Sequence, residues 1–230
     1  MMAAPAEEEK ERVCVTGAGG LVGSWIVKLL LSSDYLVHGT VRNPPGDSKY
    51  AHLSKLEKAS ENLKLFKADL LDYNSLCSAV AGCSGVFHVA NPVIPSASVT
   101  NPQARVELIE PAVKGTLNVL SACLEAKVKR AVVVSSISAV FVSPDWPKGQ
   151  VKDDTCWSAP KYMKATKDLV DNYVRVAYPN YNYPHNLSHT DEEEKNVSSD
   201  KLQRLGWSYR PLEETLVDSI EGYRMASVLD

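Results

Sequence analysis

Residues 16–23 read TGAGGLVG, and this stretch constrains the fold more than any other in the chain. Gly17, Gly20 and Gly23 stand three residues apart, after the short apolar run RVCVT and before an apolar helical segment. Each glycine has its own physical task in such a place. The first allows a tight turn, the second lets the backbone approach a pyrophosphate, and the third lets helix and strand pack closely. Leu21 and Val22, between the last two glycines, then sit in the first turn of the helix. Its free N–H groups and partial positive charge suit a phosphate. Such a turn works at the carboxyl end of a buried strand that feeds a helix, so it predicts a first βαβ unit and a parallel sheet.

The pattern along the chain extends that expectation. Apolar runs at YLVHGTV (35–41), LKLFKADL (63–70), SGVFHVA (84–90) and KRAVVVSS (129–136) predict further strands. Helical stretches fall between them near 50–59, 73–81 and 102–126, with Pro111 as a kink or restart in the last. The first helix carries Leu21, Val22, Trp25, Ile26, Leu29 and Leu30, which the periodicity assigns to the sheet-facing stripe. Alternating strand and helix of this kind gives an α/β doubly wound parallel sheet. After about Ser143 the pattern breaks into loop-like sequence. Helices are expected at ATKDLVDNYVRVAYP, SDKLQRLG and PLEETLVDSIEGYRMA, and no strand-like run occurs between 144 and 230.

Composition excludes several classes of function. A net charge of -3 gives no basic footprint for nucleic acid. Five scattered cysteines (14, 77, 83, 123 and 156) without a C-x-x-C suggest reduced thiols, neither a disulfide framework nor a zinc site. The acidic start MMAAPAEEEKER does not read as a signal peptide, and no apolar run reaches the length of a membrane span. The expectation is a cytoplasmic monomer with neither a membrane nor a metal in its chemistry. The sequons at Asn186 and Asn196 would matter only in a secreted chain, and HNLSH (185–189) reads as a polar loop. Lys127, Lys129 and Arg130 read as a solvated turn before a strand.

The second strand ends TVRN, with Arg42 where an NAD enzyme usually carries a carboxylate for the ribose hydroxyls. A carboxylate would repel a 2′-phosphate, whereas a guanidinium can grip it bidentately. Arg42, with Lys49 close behind, therefore favours NADP over NAD. Asp69, after the third strand, is placed to accept from the adenine amino group, with Leu70 beside it. Val89, Ala90 and Asn91, after the fourth strand, are placed along the cofactor toward its nicotinamide end.

Several motifs in order carry a family resemblance: VTGAGGLVGSW, KADLLD, VFHVANP, EPAVKGTLNVL and VVVSSISAV, then KDLVD, YPNYNYP, SSDKLQRLGW and YRPLEETLVDSIEGY. The chain resembles the plant cinnamoyl-CoA reductase branch of the extended short-chain dehydrogenases, near the dihydroflavonol reductases. The resemblance implies a Rossmann-like, NADP-binding fold and hydride transfer from NADPH to a hydroxycinnamoyl-CoA thioester or a related carbonyl. It further implies a proton-donating tyrosine, a lysine four residues later, and a serine that positions the substrate oxygen. That serine falls on Ser136, with Ser135 and Ser138 as neighbours; a strand-end serine that only caps backbone is the plainer alternative.

The tyrosine and lysine do not carry over. None of the ten tyrosines has a lysine four residues on, and after CWS the segment APKYMKATKDLVD resembles the start of the family's C-terminal part. Tyr162 and Lys167 are five apart, which does not place them on one helical face. This reads as an internal deletion on the order of a hundred residues, joined near Ser158 and Ala159. The expected organisation is a disordered 1–11, a cofactor domain over 12–158, and a remnant of a substrate domain over 159–230. Loss of the following strand would leave the fifth as an exposed apolar edge. The alternative to an active reductase is an NADP(H)-binding module without catalysis.

Overall fold

The computed structural model describes residues 10–91, 102–136, 138–141, 146–147, 149–153, 155–157, 197–208, 210, 214 and 217, the backbone alone at 102–110, 138 and 141. The chain divides into two compact units, with a boundary between Val134 and Ser135. The first holds a parallel sheet of β1 (Arg12–Thr16), β2 (Leu36–Val41), β3 (Leu63–Lys67), β4 (Gly85–His88) and β5 (Arg130–Val133). Their spatial order is β3-β2-β1-β4-β5. Every ladder is parallel, with Val13 opposite both Val37 and Gly85. The chain therefore starts in the middle of the sheet, builds outward one way, then crosses over and builds the other way. That reversal opens a crevice at the carboxyl ends of β1 and β4.

Each face of the sheet has its own core. On one side α1 (Leu21–Ser32) covers Val15, Val37 and Val41, with Val27, Leu31, Tyr50 and Leu53 completing the cluster. On the other, α4 (Tyr73–Val80) and α5 (Pro102–Glu125) close over Cys14 and Val86 with Leu76, Val80, Val119 and Ala122. α2 (Ala51–Ser54) and α3 (Ala59–Asn62) lie between β2 and β3.

Three expectations need correcting. The face that α1 buries is Gly23, Val27 and Leu31, with Ile26 and Leu30 of the expected stripe partly buried against the same core, whereas Leu21, Val22 and Leu29 are more than half exposed. The reason is Gly23: a Cβ there would stand 2.2 Å from the Gly17 carbonyl, so this residue must face the turn and thereby sets the rotation of the helix. The single helix expected near 50–59 is instead a 3-10 turn (Ser48–Tyr50) followed by two short helices. Lys58, at φ 60°, breaks the run in the left-handed region. Finally β4 stops at His88, because the next two N–H groups leave the ladder for the Thr16 hydroxyl.

β5 forms one edge of the sheet, and all four of its residues are exposed. Val132, Val133 and Val134 stand 40–46% exposed there. In the second unit, α6 (Ser138–Phe141) follows β5, Lys152 bridges Val197, and α7 (Asp200–Arg204) occupies part of the expected SDKLQRLG helix. The N-terminal residues 1–9, the join near 158–159, Tyr162, both sequons, HNLSH and the ATKDLVDNYVRVAYP helix lie outside the described residues. No helix among the described residues is long and apolar enough to cross a membrane.

Candidate functional site

At the carboxyl end of the sheet lies a cleft of about 710 Å³. Gly17, Gly20, Leu21, Val22 and Gly23 form its floor at the start of α1. Gly17 takes φ 70°, which favours glycine, and its carbonyl accepts the Gly20 N–H at 3.0 Å to make the tight turn. A Cβ on Gly17 would also press on Ala90 at 3.1 Å, so the turn and the β4 exit meet closely. Leu21 and Val22, displaced from the core by the rotation of α1, line this cleft.

One wall comes from the end of β2. Arg42 and Asn43 follow the strand, and Lys49 sits in the 3-10 turn that returns over them. Asp47 organises this loop. Its carboxylate accepts the Lys49 N–H at 2.9 Å and the Asn43 side-chain amide at 2.8 Å, and these bonds hold its carboxyl below the usual carboxylate range. Tyr50 is buried beneath; its hydroxyl accepts the Asn43 N–H at 3.2 Å, and its ring fills the space a Cβ on Gly19 would need. The loop that presents two cations at the end of β2 is thus tied down by its own polar groups.

The opposite wall is the β3–α4 turn. Asp69 Oδ1 accepts the Leu71 N–H at 2.8 Å, and the Asp69 N–H donates to the Ser75 hydroxyl at 3.2 Å. A carboxylate has acceptor capacity beyond one such bond. Leu70 is held by α5, where Asn118 donates to its carbonyl at 2.8 Å and Gly115 leaves room for its side chain. Val89, Ala90 and Asn91 complete the lining, together with Pro111 of α5.

The structure thus brings all twelve residues that the sequence nominates for a cofactor into one cleft. Ser136 is placed otherwise: it falls in the second unit, exposed, with its carbonyl accepting the Ala139 N–H at the start of α6. Sequence reasoning missed Gly19, Thr40, Asn43 and Tyr50. Gly19 lies inside the quoted motif, but the aromatic ring against it comes from a loop 31 residues away and has no local signal.

A parallel doubly wound sheet with a glycine turn at its switch point defines a Rossmann-like dinucleotide-binding protein. The chain belongs to the NAD dependent epimerase/dehydratase family, whose model matches residues 13–182, and within it to a cinnamoyl-CoA reductase-like branch of extended short-chain dehydrogenases. It is 53% identical over 156 residues to cinnamoyl-CoA reductase 1 of Petunia hybrida, covering 68% of this chain and 44% of that protein. The corresponding reductase 1 of Arabidopsis thaliana is 50% identical over 156 residues, covering 68% and 43%. Among solved structures, vestitone reductase from alfalfa (Medicago sativa) matches with a TM-score of 0.56 at 34% identity, covering 73% of this chain and 53% of that one. Yeast methylglyoxal/isovaleraldehyde reductase Gre2, solved with NADPH, shares the fold at a TM-score of 0.54 and 24% identity, covering 70% and 48%. The chain matches less than half the length of these two curated relatives.

Proposed function

We propose that the cleft binds NADP(H) and that the chain is a cinnamoyl-CoA reductase-like reductase that keeps its cofactor half and lacks its proton-transfer half. The carrying observation is that Arg42 and Lys49 line the same cleft as the glycine turn, on a loop braced by Asp47 and Tyr50. The residues fit the group. Gly17 and Gly23 let the turn close on Ala90 and on the helix, Gly20 lets the backbone approach a pyrophosphate, α1 presents its N-terminus, Arg42 and Lys49 supply charge for a 2′-phosphate, and Asp69 offers an acceptor to the adenine amino group. NADPH, when bound, supplies the hydride. By likeness to the named relatives, the acceptor would be a hydroxycinnamoyl-CoA thioester or a related carbonyl.

Reduction also needs a proton donor. A free tyrosine titrates near about pH 10, and a lysine one helical turn away is what brings it into range. No tyrosine in the chain has that lysine. The expected outcome is binding without turnover: NADPH fluorescence changes on titration, while no oxidation follows with feruloyl-CoA or an aldehyde. Turnover above that of Ser136→Ala would overturn the non-catalytic part, and absence of any NADPH binding would overturn the cofactor assignment.

A further inference from the structure

Behind the cleft runs a buried polar chain that neither the glycine turn nor the phosphate-facing cations explain. Thr16, the last residue of β1, is fully buried, and its register partner on β4 is His88, also buried. The Thr16 hydroxyl lies 2.9 Å from His88 Nδ1, and His88 Nε2 lies 3.1 Å from the Thr116 hydroxyl of α5. The same Thr16 oxygen receives the N–H groups of Val89 and Ala90, each at 3.1 Å.

The count of lone pairs at Thr16 constrains the protons of the ring. A threonine hydroxyl has two acceptor lone pairs and one hydrogen. Two backbone donors occupy both lone pairs of Thr16, so its hydrogen goes to His88 Nδ1. That nitrogen must therefore be bare, and the ring proton sits on Nε2, where it donates to Thr116. The relay closes only with a neutral imidazole in this one tautomer; an imidazolium would aim a second N–H at a hydroxyl with no acceptor site left.

We propose that His88, as the neutral Nε2–H tautomer acting through Thr16, is a positioning residue for the nucleotide cleft, holding Val89 and Ala90 against the glycine turn. The segment it holds is cleft wall, and Ala90 is the residue that a Cβ on Gly17 would meet at 3.1 Å. Without the hydroxyl the two N–H groups would lose their acceptor at the point where β4 leaves the ladder. The inference rests on the cofactor reading above. Among the described residues, the groups facing His88 are Thr16 from β1, Thr116 from α5 and, from β5, its register partner Val133 with the Val134 N–H on its carbonyl. None of these carries a charge, and burial alone lowers the proton affinity of the ring.

The test combines nitrogen NMR of the full chain with NADPH titration. At pH 7.5 the His88 spectrum should report a bare Nδ1 and a protonated Nε2, and the Val89 and Ala90 amides should shift as the ring titrates on acidification. Thr16→Val should weaken NADPH about tenfold, the scale of a lost buried hydrogen bond, and Thr16→Ser should recover most of it. His88→Asn, whose carbonyl can replace the Nδ1 acceptor, should outperform His88→Gln. The affinity of the parent chain should also fall more steeply than that of His88→Asn from pH 7 to 5; the 2′-phosphate titrates alike in both, so the difference isolates the imidazole. A protonated Nδ1 at pH 7.5, or equal affinity of Thr16→Val and the parent, overturns the proposal. Should the variants unfold, the tautomer and the two amide shifts decide it in the parent chain. A parent chain that takes up no NADPH overturns the cofactor reading, and the NMR results then judge the relay by themselves.

Discussion

In the proposed NADP(H) reading, cofactor choice turns on Arg42. It is exposed at the end of β2, on a wall of the cleft where a carboxylate would instead serve ribose hydroxyls. Because the site is open to water, its contact with a 2′-phosphate should contribute less than a buried pair would. Arg42→Glu should lower the preference for NADPH over NADH by about tenfold or more, since it removes an attraction and adds a repulsion. Parallel fluorescence titrations with the two nucleotides would measure this; an unchanged ratio would transfer the discrimination to Lys49. The local sequence supplied this residue because it is read directly at a strand end. Tyr50 and the Asp47 brace, which hold the loop in shape, were not legible there.

At the scale of elements, α1 shows how one glycine decides which face a helix buries. Its leucines and isoleucine fit an apolar stripe in more than one rotation, and the periodicity selects Leu21, Trp25 and Leu29 as readily as Val27 and Leu31. The close approach of Gly23 to the Gly17 carbonyl removes that freedom. Leu31→Ala should therefore cost about 2–5 kcal/mol of stability, while Leu29→Ala should change it by less than about 0.5 kcal/mol. Urea denaturation of the two variants would separate them, and similar losses would mean the helix is rotated from its described position. The strands were easier to read, since short apolar runs bounded by turns leave little choice of period. Their ends were not: β4 closes early because a threonine hydroxyl on β1, 72 residues away in sequence, takes the next two N–H groups.

For the whole molecule, two quantities follow from how the sheet is finished and what it buries. β5 is an edge with Val132 and Val133 exposed on it and Val134 exposed just after it, an arrangement that favours pairing with other chains. A melt below about 60 °C, accompanied by light scattering, is expected; a cooperative transition above it would contradict this. The second quantity is pH dependence. Burial lowers the proton affinity of His38, against the pull of its bond to the Ala79 carbonyl, and it lowers that of His88. With folded values below the unfolded value of about 6.5, the fold favours the neutral form of both rings. Their contribution is complete above that pH and is lost progressively as pH falls toward the folded values. Stability measured by urea at pH 7.5 and 5 should drop at the lower pH, with a smaller drop in His88→Asn; equal drops would remove His88 from the account.

The sequence alone determined the fold class and the order of strands and helices, and it nominated twelve residues that the structure gathers in one cleft. Those features depend on spacing along the chain: glycines at a strand end, apolar runs between turns, and a cation in place of a carboxylate. Only the tertiary structure decided which face α1 buries, what braces the Arg42 loop, where β4 ends, and the tautomer that His88 must adopt. Each of these depends on atoms brought within about 3 Å from distant parts of the chain. No periodicity records such contacts, because the residues that make them are ordinary until the sheet places them side by side.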